Sequence, residues 1–595
     1  MKIPVRKIVV TLALMLLVVI GIRAGSGVHR PVFARLSIAV QPLGHPVMEG
    51  QSTTFQVVGH GIWPVTYQWW KNEAVIPGAT SDRYTIPVAT LGDNGTQFHV
   101  VLSSWGKALE SDPATLRVFS PQPSEMPLFP IKASSNGKYL VDQNNKPFRI
   151  QGEAAWSLIA NLTYAEADAY LSNRRAKGFN SVLVELMEHK VARGGKGASL
   201  SGVPTNRNGD LPFTGREGGG AYDGTWGTAD FSTPNESYFA FADSIIDLAA
   251  KKGMLVNLAP MFLGYSGRNV GWWADLTNRV NSETVAYNFG AYVGRRYRNN
   301  RNIIWIIGGD YFPPTGSEGE ARLLKFLEGI KSGGATQMWS GDWDAPCLST
   351  DEPVFAPLMD MNAIYSYGPA GRAGATYPEA RRGFAYSPTR PAYLKETEYE
   401  DEGWSLADPS VVRMAAYDAI LEGATAGGFF GNRDVWKFGT DQWWWDPDEN
   451  GHGSWVTAME SPGSFDFTFL GRLLDSVSWY DLIPSSLSGI KQLVTAGQGN
   501  YGTRDYVTAA ATSDGSILLA YVPPSRKGAT TITVDMTALR GSVQASWFDP
   551  TAGTYTGIGE GTFPNVATRA FTSPGMNSRR DFDWVLVLRA KSAQP

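Results

Sequence analysis

The stretch Asn302-Ile303-Ile304-Trp305-Ile306-Ile307-Gly308-Gly309-Asp310 decides how the chain folds. Five consecutive apolar residues, Ile303 to Ile307, read as a buried strand, because a parallel strand covered on both faces needs no polar side. Gly308-Gly309 ends the run and a carboxylate follows at once. Upstream, Glu283 to Arg298 carries Val285, Phe289, Tyr292, Val293 and Tyr297 on one helical stripe. The order is therefore helix, short turn, buried strand, then an acid at the strand's C-terminal end. In a β/α barrel that end is the face that carries the chemistry. The competing reading of Asp310 is a cap on the segment that follows.

The same alternation extends on both sides. Pro147 to Gln151 reads as a first strand, ending at Gly152-Glu153-Ala154-Ala155-Trp156. Thr163-Tyr164-Ala165-Glu166 is a capping box opening a helix that runs to Lys177-Gly178. Strands follow at Phe179–Val184, reaching Glu188-His189, and at Met254–Ala259, after a helix Ser237–Lys252 closed by Gly253. Beyond Asp310 come a helix Glu320–Lys331 and strands at Gln337–Ser340, Asn362–Ser366 and Pro391–Lys395, the last meeting Glu396. A helix Val411–Glu422 and the strand Gly427–Phe430 complete eight units, which predicts a (β/α)8 TIM barrel over 131–482. A doubly wound open sheet is the alternative, but the chain has no Gly-x-Gly-x-x-Gly turn and no Walker loop.

At 595 residues the chain is too long for one core. Residues 36–118 show short alternating runs, Thr53–Val58, Thr66–Lys71 and Phe98–Leu102, with turn signals between them, as in a β-sandwich. Glu49-Gly50-Gln51, Tyr67-Gln68-Trp69 and Asp93-Asn94-Gly95 make this segment resemble bacterial immunoglobulin-like modules. A linker is expected over 119–130, around Ser120-Pro121-Gln122-Pro123-Ser124. After Leu482-Ile483-Pro484 strand patterns return at Ser516–Val522, Thr530–Val534, Gln544–Pro550 and Asp583–Leu588, predicting a second β-sandwich over 483–592. It resembles the collagen-binding type of sandwich often fused behind such barrels. Residues 1–27 combine Lys2, Arg6 and Lys7 with an apolar run from Ile8 to Ile22, the pattern of a signal peptide, with an uncleaved anchor as the second reading. The expected location is therefore exported: periplasmic, cell-surface or secreted.

Composition narrows the chemistry. A net charge of −4 gives no basic footprint for nucleic acid. One cysteine and six scattered histidines supply no disulfide framework and no zinc motif, so no metal and no cofactor is expected. With 20 Trp, 24 Tyr and 27 Phe, many in loop-like contexts such as Trp272-Trp273 and Trp443-Trp444-Trp445, the chain is well supplied with rings on which sugars stack. Asp310 after the fourth strand and Glu396 after the seventh fall on one rim. Cleaving a glycosidic bond needs two carboxyl groups flanking it. Glu153, Glu185, Glu188, Asp342, Asp344, Glu398 and Glu400 compete for these roles.

Asn136-Gly137-Lys138-Tyr139-Leu140-Val141-Asp142, Gly152-Glu153-Ala154-Ala155-Trp156, Ala176-Lys177-Gly178-Phe179-Asn180 and Ile303 to Asp310 together resemble the apiosidase-like glycoside hydrolases, over about 137–482. The resemblance implies an exported hydrolase of a plant or microbial polysaccharide or oligosaccharide, with its catalytic acids at Asp310 and Glu396. It further implies Asp310 as acid/base and Glu396 as nucleophile in a retaining mechanism; inversion by the same two residues set further apart, with one of them as base, is the alternative. Two departures stand out: Tyr311 where an Arg usually follows the acid, and Lys395-Glu396-Thr397 where the family has Gly-Glu-Pro. They keep both carboxylates and change their neighbours, so the sugar is left open. Glu153, Trp156, Glu188, His189, Tyr367 and Trp436, at or beyond strand ends, are the expected substrate contacts. A non-catalytic carbohydrate-binding or adhesion protein is the other functional reading. No protein partner is expected.

Overall fold

The computed structural model describes residues 36–44, 46–61, 64–120, 125–188, 204–217, 228–264, 271–366, 376–402, 408–438 and 454–591. The predicted targeting segment, His189, Tyr367 and Trp443-Trp444-Trp445 lie outside them. No helix among the described residues is long and apolar enough to cross a membrane.

The chain forms two compact units. The first comprises the described parts of Met1–Leu43 together with Thr54–Thr85 and Gln97–Ala114. It is all β: Thr66–Lys71 pairs antiparallel with Gln97–Ser104, which in turn pairs with Lys107–Glu110. Period-2 alternation puts Trp69, Phe98, Val100 and Leu102 inside. Phe55 stacks on Phe98 with ring centroids 4.7 Å apart, so packing alone closes this core.

The second unit holds the predicted barrel. Its eight parallel strands are β1 Ile150–Ala154, β2 Ser181–Glu185, β3 Leu255–Ala259, β4 Ile303–Gly308, β5 Trp339–Asp342, β6 Asn362–Tyr365, β7 Ala392–Glu396 and β8 Gly427–Phe430. They lie in the order β5-β4-β3-β2-β1-β8-β7-β6, and a short antiparallel strand, Cys347–Leu348, pairs with β6. The helices are α1 Tyr164–Ala176, α2 Glu236–Lys251, α3 Glu283–Tyr297, α4 Glu318–Ser332, α5 Tyr377–Ala385, α6 Pro409–Leu421 and α7 Pro462–Asp475. The Thr163/Glu166 capping box opens α1 as the sequence predicts. Along β4, Ile304 and Ile306 face the barrel interior while Ile303, Trp305 and Ile307 pack toward the helices, which explains the unbroken apolar run.

No α-helix joins β5 to β6; that link contains the Cys347–Leu348 strand and two 3-10 turns. The seam between β5 and β6 is joined at one end by Asp360 and Met361 N–H donating to the Trp339 carbonyl, and further along by a side chain. The Ser349 hydroxyl accepts from Gly341 N–H at 3.0 Å and Ala363 N–H at 2.8 Å, and donates to the Gly341 carbonyl at 3.0 Å. β1 also differs from expectation. It begins at Ile150 and runs on to Ala154, while Pro147–Phe148 belongs to a separate three-stranded sheet. Gly152 permits this: a Cβ there would sit 2.2 Å from the Phe429 ring.

Behind the barrel, six strands form one sheet and Val494–Ala496, Thr531–Asp535 and Thr568–Thr572 another, with a shared apolar core. This sandwich is joined to the barrel through α6. Arg413, buried, binds Asp466 of α7 at 2.6 Å and Asp583 of the sandwich at 2.7 Å, and Tyr417 stacks on Tyr521 at 4.7 Å.

Candidate active site

Three consecutive positive-φ residues end β4: Gly308 at 102°, Gly309 at 132° and Asp310 at 46°. Side chains are excluded at the first two, where a Cβ would lie 2.0 Å from the Asp342 carbonyl or 2.5 Å from Phe262. The glycines let the chain turn sharply, and aspartate is among the residues that tolerate the left-handed conformation at the third position. This turn brings Asp310 back over the barrel mouth toward the ends of β5 and β7. Carboxylate oxygens of Asp310, Asp342 and Glu396 all lie within 4.8 Å of one another.

A β-bulge places the seventh-strand groups. Ile364 pairs with Leu394, but Tyr365 pairs with Glu396, so Lys395 is the extra residue. Strict alternation would send Lys395 and Glu396 to opposite faces. A bulge removes that constraint and re-aims the side chains. Lys395, fully buried, donates from Nζ to Asp342 Oδ1 at 2.5 Å and to Glu396 Oε2 at 2.6 Å, and sits 3.7 Å from the centre of the Tyr365 ring. Tyr365 also hydrogen-bonds the Asp310 carboxyl, and Tyr399 hydrogen-bonds Glu396.

The electrostatics follow from this crowding. Burial, then the neighbouring Asp342 and Glu396, hold the Asp310 carboxyl well above the usual carboxylate range. Burial pushes Asp342 up to about 6 against the opposing pull of Lys395. Burial also works against charge on Lys395, but Asp342, Glu396 and Asp310 outweigh it and raise it above an ordinary lysine. Three converging carboxylates are a geometry that could receive a cation, yet the Lys395 ammonium already holds that charge on two of them.

The other expected site residues divide. Trp156 lies beside the cluster at only 5% exposure, its Nε1 donating to Tyr399 Oη at 2.9 Å, so it braces the tyrosine that hydrogen-bonds Glu396. Trp436, on a short turn of helix after β8, is half-buried with its ring 6.5 Å from that of Tyr399. Glu188 is enclosed beyond β2, its backbone N–H donating to Tyr238 Oη. Glu153 is a correction. It points outward to α1, where Arg174 Nη1 binds both its oxygens at 3.0 Å and Tyr170 donates at 2.6 Å. Because β1 runs through Glu153, alternation turns that side chain away from the mouth.

Among the competing acids, Glu398 is held by Thr397 and Glu400 by Ser461, Gly463 N–H and Asn432. Tyr365 and Tyr399 are additions that the sequence reading did not place in the site. Tyr365 ends β6 and Tyr399 lies three residues past β7; position at a strand end was the available signal.

The model of the apiosidase-like catalytic domain matches residues 134–481, and that of a "Putative collagen-binding domain of a collagenase" matches 491–589. No curated protein matches the chain. Among solved structures, one titled a glycoside hydrolase is similar at 20% identity and a TM-score of 0.61, over 79% of this chain and 99% of that one. A glycoside hydrolase family 5 structure from Bacteroides vulgatus is similar at 21% identity and a TM-score of 0.61, over 79% of this chain and 96% of that one. These likenesses show a shared fold. With more than half of its length matched by the catalytic-domain model, the chain belongs to the apiosidase-like family of glycoside hydrolases.

Proposed function

We propose that the chain is an exported, retaining glycoside hydrolase of a plant or microbial polysaccharide, with Asp310 as acid/base and Glu396 as nucleophile. The observation that supports this reading is that one carboxylate oxygen of Asp310 and one of Glu396 approach within 4.8 Å. Retaining enzymes hold the pair at roughly 5–5.5 Å, whereas inverting ones need about 6.5–9.5 Å to admit water.

In the first step the proton on Asp310 passes to the glycosidic oxygen as Glu396 attacks the anomeric carbon, giving a covalent glycosyl ester and the released alcohol. Asp310, now a carboxylate, then takes a proton from water. The hydroxide oxygen bonds the anomeric carbon, and Glu396 leaves. The raised Asp310 carboxyl suits proton donation near neutral pH. Lys395 and Tyr399 both hydrogen-bond Glu396 and fix the carboxyl in place for attack.

The test is a panel of aryl glycosides and pectic oligosaccharides, assayed with wild type and with Asp310→Ala and Glu396→Ala. Sugar release by wild type and a loss of orders of magnitude in both variants are expected. Azide should restore the Asp310→Ala variant, giving a glycosyl azide of retained configuration. Near-normal activity in both variants would sink the assignment, and binding without release would sink the enzymatic reading.

A further inference from the structure

Hydrolysis by two carboxylates uses Asp310 and Glu396 and leaves Asp342 without a part. Asp342 is nevertheless only 1% exposed, and its Oδ2 is enclosed with no hydrogen-bond partner. A buried carboxylate in that condition is costly, and the end of β5 holds it there. Its surroundings show what it can do. With every acid ionised, Asp310, Asp342 and Glu396 bring three negative charges against one Lys395 ammonium. Like charges this close cannot all persist in an enclosed site, and a single proton relieves most of the repulsion.

Contact with Lys395 decides which carboxyl takes that proton. Asp342 and Glu396 each touch Nζ, at 2.5 and 2.6 Å. Asp310 instead receives the Tyr365 hydroxyl, and its Oδ1 is enclosed without a partner. The other titratable groups around the cluster carry no compensating charge. Burial holds the Cys347 thiol from the short strand beside β6, Tyr393 of β7 and Tyr399 in their neutral forms. The proton therefore belongs on Asp310, and of its two charged neighbours Asp342 contributes more to keeping it there than Glu396 does.

We propose that Asp342, anchored by Lys395, is a positioning residue of the hydrolysis: its carboxylate keeps the proton on Asp310 and stops Lys395 from neutralising Glu396 alone. This rests on the assignment of Asp310 and Glu396 given above. It has a consequence for the second half of the reaction. Once Glu396 is esterified its charge is gone, but that of Asp342 remains. Asp310 then stays a strong enough base to take a proton from water.

Asp342→Asn tests this through the pH dependence of kcat/KM. The alkaline limb, which reports the acid in the free enzyme, should move to lower pH by about one unit or more. At pH 8 the loss should be at least ~10-fold for an alkyl glycoside of the sugar that wild type releases. It should be much smaller for the 2,4-dinitrophenyl glycoside, whose leaving group departs without a proton. Asp342→Glu should return the limb toward that of wild type. An unmoved limb, with loss equal for both leaving groups, overturns the proposal and leaves Asp342 a structural residue.

A second measurement needs no variant of Asp342. Wild type is trapped as the glycosyl ester with a 2,4-dinitrophenyl 2-deoxy-2-fluoro glycoside, and Asp310 is titrated by 13C NMR of labelled aspartate, assigned with Asp310→Asn. Asp310 should stay well above the ordinary value of about 4 in the trapped enzyme. A fall to that value means Glu396 alone held the proton, and the proposal fails. Label on a residue other than Glu396, or full activity in Asp310→Ala, would instead mean that the underlying site assignment is at fault.

Discussion

Replacing Lys395 with Met removes one ammonium and keeps nearly the same volume. In the folded protein Lys395 is fully buried and bound to Asp342 at 2.5 Å and Glu396 at 2.6 Å. Removing one partner of a buried ion pair costs about 3–5 kcal/mol. A carboxylate orphaned in this way can escape by binding a proton, at a cost that shrinks by about 1.4 kcal/mol for each pH unit of acidification. The loss of stability should therefore be ~3–5 kcal/mol at pH 7 and smaller at pH 5.5. The double variant Lys395→Met/Asp342→Asn, with no charge left at position 342, should recover much of the loss. The assay is denaturant unfolding of each variant at both pH values, following the barrel's own transition because a multidomain chain need not unfold in one step. A loss under ~1 kcal/mol at pH 7, or one that does not shrink at pH 5.5, would refute the picture of Lys395 as counter-ion to two buried carboxylates.

The stability of the native barrel should itself rise as pH falls from 7.5 to 5.5. Burial raises Asp342 to about 6 and both Glu400 and Glu422 to about 7, so the cost of charging them is present above those values and disappears as pH falls through them toward 4. Acids held low, such as Glu236 and Glu460, lose their contribution only below the ordinary glutamate range, so they do not oppose this trend. Thermal or denaturant midpoints that fall steadily over that range would contradict it. Glu153→Gln should weaken folding by breaking its bonds to Arg174 while leaving KM unchanged in the folded protein; a raised KM would return Glu153 to the substrate. Trp436→Ala should weaken substrate binding by ~1–3 kcal/mol if its half-buried ring stacks on a sugar as aromatic side chains stack on nucleobases. An unchanged KM would remove it from the pocket.

The barrel was legible because its strands are buried on both faces and its helices carry their own caps. Ile303 to Ile307 announces a parallel strand with no need of its neighbours, and Thr163 with Glu166 marks a helix start locally. Asp310 and Glu396 could be singled out because strand ends on one rim are a property of chain order. What depends on pairing between strands was not visible. Alternation alone separates Lys395 from Glu396, and only the register of β7 against β6 creates the bulge that joins them. Asp342 appeared as one competing acid among several, since nothing local distinguishes it from Asp344. Glu153 was misplaced by a boundary: a strand ending at Gln151 leaves it on a loop, whereas one ending at Ala154 turns it toward α1. The missing helix between β5 and β6 was hidden in the same way, because the seam is bridged by contacts that leave no pattern in the sequence, among them the Ser349 hydroxyl and the Asp360 N–H on the Trp339 carbonyl.

The most direct measurement is the configuration of the first product formed from an aryl glycoside in the presence of methanol, read by 1H NMR. One carboxylate oxygen of Asp310 and one of Glu396 lie within 4.8 Å, nearer the spacing of retaining pairs than of inverting ones, so the proposed mechanism predicts a methyl glycoside with the anomeric configuration of the substrate. A first product of the opposite configuration, with no methyl glycoside formed, would contradict it.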